Sequence, residues 1–414
     1  MHTVSILTIG DEICIGQIVN TNAAWLAAEC TRLGCHVAAH AVTGDALTDI
    51  TGELGRLLAA SDTVILTGGL GPTHDDRTKA ALCEFFGDVL VLHEPTLAFL
   101  TELYGRRGLD VSERNRTQAL LPSTCRVLAN SRGTAPGMMF ETGGKTVFSL
   151  PGVPAEMKGI MTEQVLPFLE KITEKQEQAR FRTLQTTGIT EANLADLIGD
   201  PEEFLVGGTL AFLPSYQGVR LRIGVRANSA DEATARIAGV EEILRARAGR
   251  FMFGADDDSL ASVAGQLLTV RGETVAVAES CTGGLLGAAL TDVPGSSAYF
   301  PGGVLTYSYE SKTVQLGVRA ETLLRYGAVS GETVCEMAAA VREKFGATYG
   351  IAISGIAGPD GGLPDKPVGT VWIALAQPGG VEPKKFVFGN DRRINRERSV
   401  GAALAMLVGA LRRE

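Results

Sequence analysis

The chain has 414 residues, of which 45% are hydrophobic and 21% charged, and this predicts two or three packed domains rather than a disordered chain. Its net charge of −9 argues against a general nucleic-acid binder, because neutralising phosphates needs a basic face. No run has the pattern of a membrane span or a signal peptide, and the seven cysteines include no CxxC pair. We therefore expect a cytoplasmic protein that binds neither nucleic acid nor a membrane.

The first 170 residues alternate strand and helix patterns, which indicates a sheet covered by helices. The β-rich runs predict strands at residues 4–9, 36–42, 63–66, 138–141 and 146–150. Apolar residues at helical spacing predict helices at residues 22–33, 47–60, 79–86 and 153–170. The segment 142–145 is expected to turn a hairpin, and the charged stretch 170–180 is expected to be a linker.

Residues 181–253 form a smaller predicted α+β unit, with strict alternation over 219–225 and a helix over 230–248. Its size resembles that of KH-like modules, but it contains no GxxG loop, so we expect a structural or dimer-forming role rather than RNA binding. The acidic run 254–258 marks the next boundary and precedes a helix that begins near Ser259. Beyond it, strands are predicted at 274–278, 304–306, 349–353 and 369–374, with helices at 283–290 and 396–411.

A loop of small residues at 278–284 lies between a predicted strand and a predicted helix. Such a loop directs backbone N–H groups at an anion or an oxyanion, although a tight turn packed for its own sake is the alternative. Ser280 and Cys281 are its two possible nucleophiles. All five histidines lie in the first 93 residues, so a Ser–His–Asp triad would need a histidine from another domain or subunit. Lysine is the remaining base, and Lys312 is preferred because it ends a polar, aromatic run; without a local histidine, Cys281 is the weaker nucleophile.

Four ordered runs resemble the C-terminal domain of the CinA family, the PncC-type nicotinamide mononucleotide amidohydrolases: AESCTGG (278–284), TYSYESK (306–312), SGIAGPDGG (354–362) and PVGTVWIA (367–374). The resemblance implies hydrolysis of the nicotinamide carboxamide to nicotinate mononucleotide and ammonia, without a cofactor. It implies that Ser280 is the nucleophile and Lys312 its base, with Tyr307, or else Tyr309, as a polarising or relay group.

The same resemblance implies the groups that bind this substrate. Backbone amides from Thr282 to Gly284 are the expected oxyanion donors. Arg396, and after it Arg392, is the expected partner of the substrate phosphate, although a solvated helix start is the alternative. The full set of expected contacts is Cys281, Thr282, Gly283, Gly284, Tyr309, Gly355, Gly358, Thr370, Arg392 and Arg396.

Two polar, glycine-containing segments, 8–22 and 67–78, follow strand patterns in the N-terminal part. Because the carboxyl ends of parallel strands meet at one edge of a sheet, both should open where ligands of such folds collect. Asp75 and Asp76 offer hard oxygen ligands for a divalent metal, although acidic pairs in loops are often only solvated or capping groups. The adjacent His74 is a weaker candidate for a ligand or base.

These segments, together with LPGVPAEM (150–157), resemble the molybdopterin-binding-like domain of the N-terminal part of CinA. The resemblance implies metal-dependent hydrolysis of ADP-ribose to AMP and ribose 5-phosphate, with Mg²⁺, Mn²⁺ or Co²⁺ held by Asp75, Asp76 and Glu12. A pterin- or nucleotide-binding module without turnover, tied to a competence partner, is the alternative. The expected substrate contacts are Gly10, Gln17, Asn20, Asn22, Gly68, Gly69, Gly71, Thr73, Pro151 and Gly152.

The sequence therefore predicts an α/β protein of three domains. They are a molybdopterin-binding-like three-layer α/β domain (1–170), a small α+β KH-like domain (171–253) and an α/β amidohydrolase domain (254–414). The expected function is bifunctional hydrolysis of nicotinamide mononucleotide and ADP-ribose, and the resemblance adds the expectation of a homodimer.

Overall fold

A computed structural model of the protein describes residues 1–74, 76–106, 108–173 and 178–413. The chain divides into two compact units, Met1–Phe181 with Gly224–Ile237, and Arg182–Ile223 with Ala238–Glu414. Within the described ranges, no helix has both the length and the apolar character that crossing a membrane requires.

The N-terminal unit alternates strands and helices as its sequence predicts. Its strands are β1 (Thr3–Ile9), β2 (His36–Thr43), β3 (Thr63–Thr67), β4 (Leu90–Leu92), β5 (Leu120–Pro122), β6 (Arg126–Leu128), β7 (Gly137–Thr142) and β8 (Lys145–Leu150). Its α-helices are α1 (Asp11–Cys14), α2 (Thr21–Arg32), α3 (Leu47–Ala60), α4 (Thr78–Phe86), α5 (Glu94–Gly105), α6 (Glu113–Arg116), α7 (Pro154–Ile160) and α8 (Leu166–Thr173). A π-helical turn, Met161–Val165, joins α7 to α8.

Six of these strands form one sheet of order β2-β1-β3-β8-β7-β6. The strands from β2 to β8 pair in parallel, and β7 and β6 are added antiparallel. The predicted hairpin joins β7 to β8, with Gly143 and Gly144 both at positive φ, as a tight two-residue turn between antiparallel strands requires.

Alternation along β1 explains why helices cover both faces of this sheet. Val4 and Ile6 belong to a core that also contains α2 and the α7–α8 helix. Leu7 and Ile9 point to the opposite face and pack with α3 and α4. The result is a three-layer α/β arrangement in which the carboxyl ends of β1, β3 and β8 share one edge.

The middle segment forms a four-stranded sheet with two helices. Its elements are β9 (Gln178–Thr186), α9 (Glu191–Ile198), β10 (Gly208–Pro214), β11 (Val219–Ala227), α10 (Ala230–Ala248) and β12 (Met252–Ala255), with sheet order β10-β11-β9-β12. On β11 the buried Val219, Leu221 and Ile223 alternate with the exposed Arg220 and Arg222, as predicted for a half-buried strand.

The C-terminal segment forms a five-stranded mixed sheet. Its strands are β13 (Val275–Glu279), β14 (Gly302–Leu305), β15 (Tyr349–Gly355), β16 (Thr370–Gln377) and β17 (Gly380–Val387). Its helices are α11 (Leu260–Arg271), α12 (Leu285–Thr291), α13 (Tyr309–Leu316), α14 (Ala320–Tyr326), α15 (Gly331–Lys344) and α16 (Arg392–Leu411). The order is β14-β13-β15-β16-β17, parallel up to β15 and antiparallel beyond it. Helices α11, α12 and α16 pack on one face, and α14 and α15 on the other.

Three expectations from the sequence need correction. The proposed linker at 170–180 is shorter, because α8 continues to Thr173 and β9 begins at Gln178. The acidic boundary at 254–258 partly belongs to β12, which pairs with β9. The closing helix begins at Arg392 rather than Arg396, because the Asp391 side chain caps it by accepting a 2.9 Å hydrogen bond from the Ile394 amide.

Candidate active sites

Ser280 and Lys312 meet at the carboxyl edge of the C-terminal sheet. Ser280 directly follows β13, and its amide donates a 3.0 Å hydrogen bond to the Ile353 carbonyl, which fixes the residue beside β15. Lys312 is not in an irregular strand-loop, as its sequence context indicated, but in the first turn of α13, whose start Ser308 and Ser311 cap reciprocally. Its side chain is completely buried, and Lys312 Nζ lies 3.1 Å from Ser280 Oγ.

Burial prepares the Lys312 amine for accepting a proton. Loss of solvation lowers the pKa of Lys312 from its ordinary value of 10.5 to about 8. Its Nζ also donates a 2.6 Å hydrogen bond to the Thr306 carbonyl, which orients the amine toward Ser280. Burial has the opposite effect on the neighbouring thiol and raises the pKa of Cys281 to about 11, so Cys281 stays protonated at neutral pH.

A buried carboxylate organises the loop that follows Ser280. The Glu279 side chain accepts hydrogen bonds from the amides of Gly284, Leu286 and Gly287, at 3.0, 3.0 and 2.8 Å. It therefore neutralises the start of α12 from inside the protein, and sequence reasoning did not give it this role. The only signal was its place directly before Ser280 in the motif.

This arrangement corrects the predicted set of oxyanion donors. The Gly284 amide is bonded to Glu279, and the Gly283 amide donates to the Ser280 carbonyl at 3.1 Å. Of the three expected donors, the Thr282 amide alone has no acceptor within the described part of the chain. The glycines thus shape the loop, and Thr282 is the residue that can offer an N–H to a reacting oxygen.

The two expected phosphate-binding arginines lie one helical turn apart on α16. Arg396 Nη2 donates a 2.7 Å hydrogen bond to the Thr282 carbonyl, which brings the guanidinium against the Ser280 loop. Its buried Nε has no partner among the described residues. Arg392 Nη1 donates a 2.9 Å hydrogen bond to the Gly358 carbonyl, so this second arginine lies against the 355–358 loop.

The two candidate tyrosines take other positions than the expected relay. The Tyr307 hydroxyl lies 3.4 Å from Arg392 Nη2, and the Tyr309 hydroxyl accepts a hydrogen bond from the Ala328 amide at 3.3 Å. Neither hydroxyl is hydrogen-bonded to Ser280 or Lys312 in the described structure. Tyr307 therefore accompanies the arginine side of the site, and nothing in the geometry assigns it to the proton transfer.

Buried polar atoms without partners concentrate around this site. In the part of the chain described, they include the side-chain oxygens of Thr282, Thr306, Thr370 and Asn395. Thr370 was an expected contact, whereas Asn395 was missed; its amide nitrogen donates to the Ala357 and Gly389 carbonyls at 3.0 and 2.8 Å. Because buried polar groups are normally satisfied, such a cluster marks a place that ligand or water completes.

The N-terminal unit has a cavity of about 470 Å³ where β1, β3 and β8 end, as the sheet topology predicted. The expected residues that line it are Gly10, Glu12, Asn20, Asn22, Gly68, Gly69, Gly71, Asp76, Pro151 and Gly152. Gln17 and Thr73 were also expected there, but both are exposed and neither lines the cavity, nor does the exposed His74.

Asn20 and Asn22 hold the strand ends around this cavity. Asn20 Nδ2 donates to Thr8 Oγ1 at 2.9 Å, and Asn22 Nδ2 donates to the Gly152 carbonyl at 2.7 Å. At Gly68 a side chain is excluded, because a Cβ would lie 2.1 Å from the Ile9 carbonyl oxygen. The polar motifs thus tie three strands into one rim.

The expected metal ligands receive only partial support. The Asp76 carboxylate accepts hydrogen bonds from the Gly71 amide and from the Thr73 amide and hydroxyl, so it holds its own loop. The Glu12 side chain folds against Gly10, where a Cβ would lie 2.6 Å from Glu12 Oε1. Asp75 lies outside the described residues. Among those that are described, His, Cys, Asp and Glu form no group of three able to hold a metal ion, so this set alone does not fit one.

A buried lysine near the cavity was missed. Lys79 Nζ donates hydrogen bonds to the Thr117 and Gln118 carbonyls at 3.2 and 3.0 Å, and burial lowers its pKa to about 8. This holds the backbone of Gln118, which lines the cavity and whose Oε1 is buried without a partner within the described ranges. A lysine at the start of a helix gives no sequence signal for such a role.

Models of known domain families match three successive parts of the chain. The "Probable molybdopterin binding domain" matches residues 5–171, the "Damage-inducible protein CinA KH domain" residues 181–254, and the "CinA C-terminal domain" residues 257–411. A CinA-like protein of Cytophaga hutchinsonii is 44% identical over 395 residues, which span 94% of this chain and 93% of that protein. A CinA-like protein of Gemmatimonas aurantiaca is 42% identical over 414 residues, which span 99% and 97%. The crystal structure of a competence-damaged protein (CinA) superfamily protein from Klebsiella pneumoniae is 40% identical and covers 37% of this chain and 97% of its own, with a TM-score of 0.37.

Proposed function

Since the chain belongs to the CinA family, we propose that its C-terminal domain hydrolyses the carboxamide of nicotinamide mononucleotide. The observation that carries this proposal is the buried contact between Lys312 Nζ and Ser280 Oγ at 3.1 Å. A serine becomes a nucleophile when a neighbouring base accepts its proton, and a lysine whose pKa is lowered to about 8 is such a base.

The reaction follows from the positions of these groups. Lys312 Nζ takes the hydroxyl proton while Ser280 Oγ attacks the carboxamide carbon, and the Thr282 amide stabilises the oxyanion. The carbon–nitrogen bond then breaks, and Lys312 gives its proton to the departing ammonia. A water molecule loses a proton to Lys312, attacks the acyl carbon and releases nicotinate mononucleotide, after which the proton returns to Ser280. The reaction needs no metal or redox cofactor.

The substrate phosphate is assigned to the α16 arginines. Arg396 is preferred because its guanidinium touches the Ser280 loop and retains an unpartnered Nε in the described structure. Arg392 already bonds the Gly358 carbonyl and lies near Tyr307, so it is the second choice. Arginine is well suited to this task because its planar guanidinium can bind phosphate through two hydrogen bonds.

For the N-terminal domain we propose hydrolysis of ADP-ribose to AMP and ribose 5-phosphate. The support is the match to the molybdopterin-binding model and the cavity of about 470 Å³ at the carboxyl edge of the parallel strands. A divalent ion, Mg²⁺, Mn²⁺ or Co²⁺, belongs to this proposal and would supply charge neutralisation of the pyrophosphate. We derive no step through the ion, since the described carboxylates do not by themselves form its site.

Product assays on the full chain test both halves. Ammonia release from nicotinamide mononucleotide should be abolished in Ser280→Ala and Lys312→Ala, and retained in the control Cys281→Ala. AMP release from ADP-ribose should persist in all three variants and require an added divalent ion. Loss of activity in Cys281→Ala with retention in Ser280→Ala would reverse the choice of nucleophile. Binding of a nucleotide without any product would favour the alternative, a binding module. We also propose a homodimer, which light scattering of the purified chain tests.

A further inference from the structure

The N-terminal cavity is bordered by large apolar side chains that remain open to solvent. We define the apolar lip as Ile13, Ile18, Val19 and Val153, all of which line the cavity. Ile18 is 54% exposed, Val19 81% and Val153 54%. Leaving such side chains in water forgoes about 25 cal/mol for each Å² that could be buried. Exposed apolar surface concentrated at a cavity is typical of a ligand-binding surface.

The backbone holds the lip in this position. The amides of Gln17 and Ile18 donate hydrogen bonds to the Glu12 carbonyl at 2.9 and 3.2 Å, and the Thr21 amide donates to the Val19 carbonyl at 2.8 Å. The chain turns at Gly16, whose φ of +75° is a conformation that glycine adopts without strain. The side chains are therefore presented by a folded turn, and their exposure is a property of the native structure.

Two buried acceptors face the same cavity. Asn22 Oδ1 and Gln118 Oε1 are buried, both residues line the cavity, and neither atom has a hydrogen-bond partner in the described ranges. A buried carbonyl oxygen without a donor costs about 1–3 kcal/mol, so a ligand that brings O–H or N–H groups recovers this energy. The cavity thus combines an apolar lip with a floor that lacks hydrogen-bond donors.

A nucleoside has this combination of properties. We propose that the cavity binds a nucleoside moiety, with the flat face of the base on the apolar lip and sugar hydroxyl or exocyclic amino groups on Asn22 and Gln118. The inference rests on the proposed hydrolysis of ADP-ribose and deepens it, because it assigns recognition to the AMP half of the substrate. Since the lip has no hydrogen-bonding groups of its own, it recognises the flat base surface more than the identity of the base.

Equilibrium binding to the full chain tests this assignment, with AMP and ribose 5-phosphate as separate probes. The double variant Ile18→Ser/Val19→Ser should weaken AMP binding by about tenfold, as expected for loss of two partly buried apolar contacts. Binding of ribose 5-phosphate should change by less than twofold. Ile15→Ser is the matched control, because Ile15 is 75% exposed on the same turn but does not line the cavity.

A second variant tests the floor. Gln118→Met removes the unpartnered acceptor while keeping a side chain of similar length, so the melting temperature should stay constant or rise while AMP affinity falls. AMP affinity within twofold of the parent in both variants overturns the inference, as does equal weakening of both probes. A shift of the double variant from dimer to monomer with unchanged AMP affinity also overturns it and identifies the lip as a contact between copies.

The outcomes separate this inference from the proposed function. Turnover of ADP-ribose without lip-dependent AMP binding leaves the hydrolase standing and removes the nucleoside site. Lip-dependent AMP binding without turnover supports the nucleoside site and contradicts the hydrolase.

Discussion

The buried carboxylate of Glu279 accepts a 3.0 Å hydrogen bond from the amide of Gly284. This contact closes the loop that follows Ser280, because the same carboxylate also caps the first turn of α12. An N–H group that would otherwise be a ready oxyanion donor is thereby committed to the protein. The loop is rigid around its nucleophile, and Glu279 is a positioning residue rather than a catalytic one.

Glu279→Gln should lower the rate of ammonia release by about 10–100-fold, because the amide nitrogen of glutamine faces N–H groups that need an acceptor. The free energy of unfolding should fall by about 1–3 kcal/mol for the same reason. Steady-state kinetics and denaturant unfolding measure the two effects. Asp292→Asn is the control, since Asp292 is exposed at the end of the same helix. An unchanged rate in a destabilised Glu279→Gln protein would leave Glu279 with a structural role only.

Deamidation should depend on pH through Lys312. The base acts in its neutral form, and with a pKa of about 8 roughly a tenth of Lys312 is neutral at pH 7 and most of it at pH 9. The kcat for nicotinamide mononucleotide should therefore rise with pH and level off above about pH 8. Binding of the product nicotinate mononucleotide, measured over the same range, controls for changes in affinity. A rate that stays flat from about pH 6.5 to 9.5 would contradict Lys312 as the base.

Lys312 should also link stability to pH. Its pKa is about 8 in the folded protein and 10.5 when exposed, so the folded state binds the proton more weakly than the unfolded state does. Folding is penalised below about pH 8, and stability recovers as pH rises toward 10.5. Lys312→Met removes the buried charge, so it should be more stable by about 1–2 kcal/mol at pH 7 after allowance for its lost hydrogen bonds.

The comparison with a second lysine makes this measurement specific. Lys344→Met changes an exposed lysine that bonds only the Gln315 carbonyl at 3.2 Å, and it should leave the pH dependence of unfolding unchanged. The difference between Lys312→Met and the parent should vanish near pH 10.5. A Lys312→Met protein that is less stable than the parent at pH 7 contradicts the buried-charge argument.

Arg396→Ala should raise the KM for nicotinamide mononucleotide by about 10–100-fold, as expected for loss of charge-assisted hydrogen bonds to phosphate. Turnover of nicotinamide riboside, which has no phosphate, should change little. Arg393→Ala is the control, because Arg393 is exposed on the same helix and paired with Glu397. Equal losses with both substrates would show that Arg396 serves the Ser280 loop through Thr282 and not the phosphate.

Removal of metal should separate the two activities. Treatment with EDTA is expected to stop AMP release from ADP-ribose, and added Mg²⁺, Mn²⁺ or Co²⁺ to restore it, because the pyrophosphate needs a cation. Ammonia release from nicotinamide mononucleotide in the same sample should not change, since Ser280 and Lys312 act without metal. AMP release that resists EDTA would remove the ion from the proposal.

The motifs predicted the family, its three-part fold and the edge of each sheet that carries the polar loops. The family and fold are confirmed by the matching domain models and by relatives of nearly full length. The pairing of Ser280 with Lys312 was reached by elimination of histidine, and the structure brings the two together at 3.1 Å. The domain boundaries and the site assignments stay predictions.

Other features depended on which hydrogen bonds each group forms in three dimensions. Glu279 and the Gly284 amide could not be paired from sequence, since a glutamate before a serine fits a surface position equally well. Asp76 has the composition of a metal ligand, but its oxygens bond the loop at Gly71 and Thr73. Gln17 and Asn20 belong to one motif, yet a turn places only Asn20 at the cavity.

The buried thiol of Cys281 has a consequence for the conditions in which the protein works. Alkylating and oxidising reagents attack the thiolate, and a thiol with a pKa raised to about 11 offers little of it at neutral pH. The hydroxyl and amine that perform the proposed chemistry are not substrates for mild peroxide. Deamidation is therefore expected to continue in oxidised cells, where enzymes with a cysteine nucleophile stop.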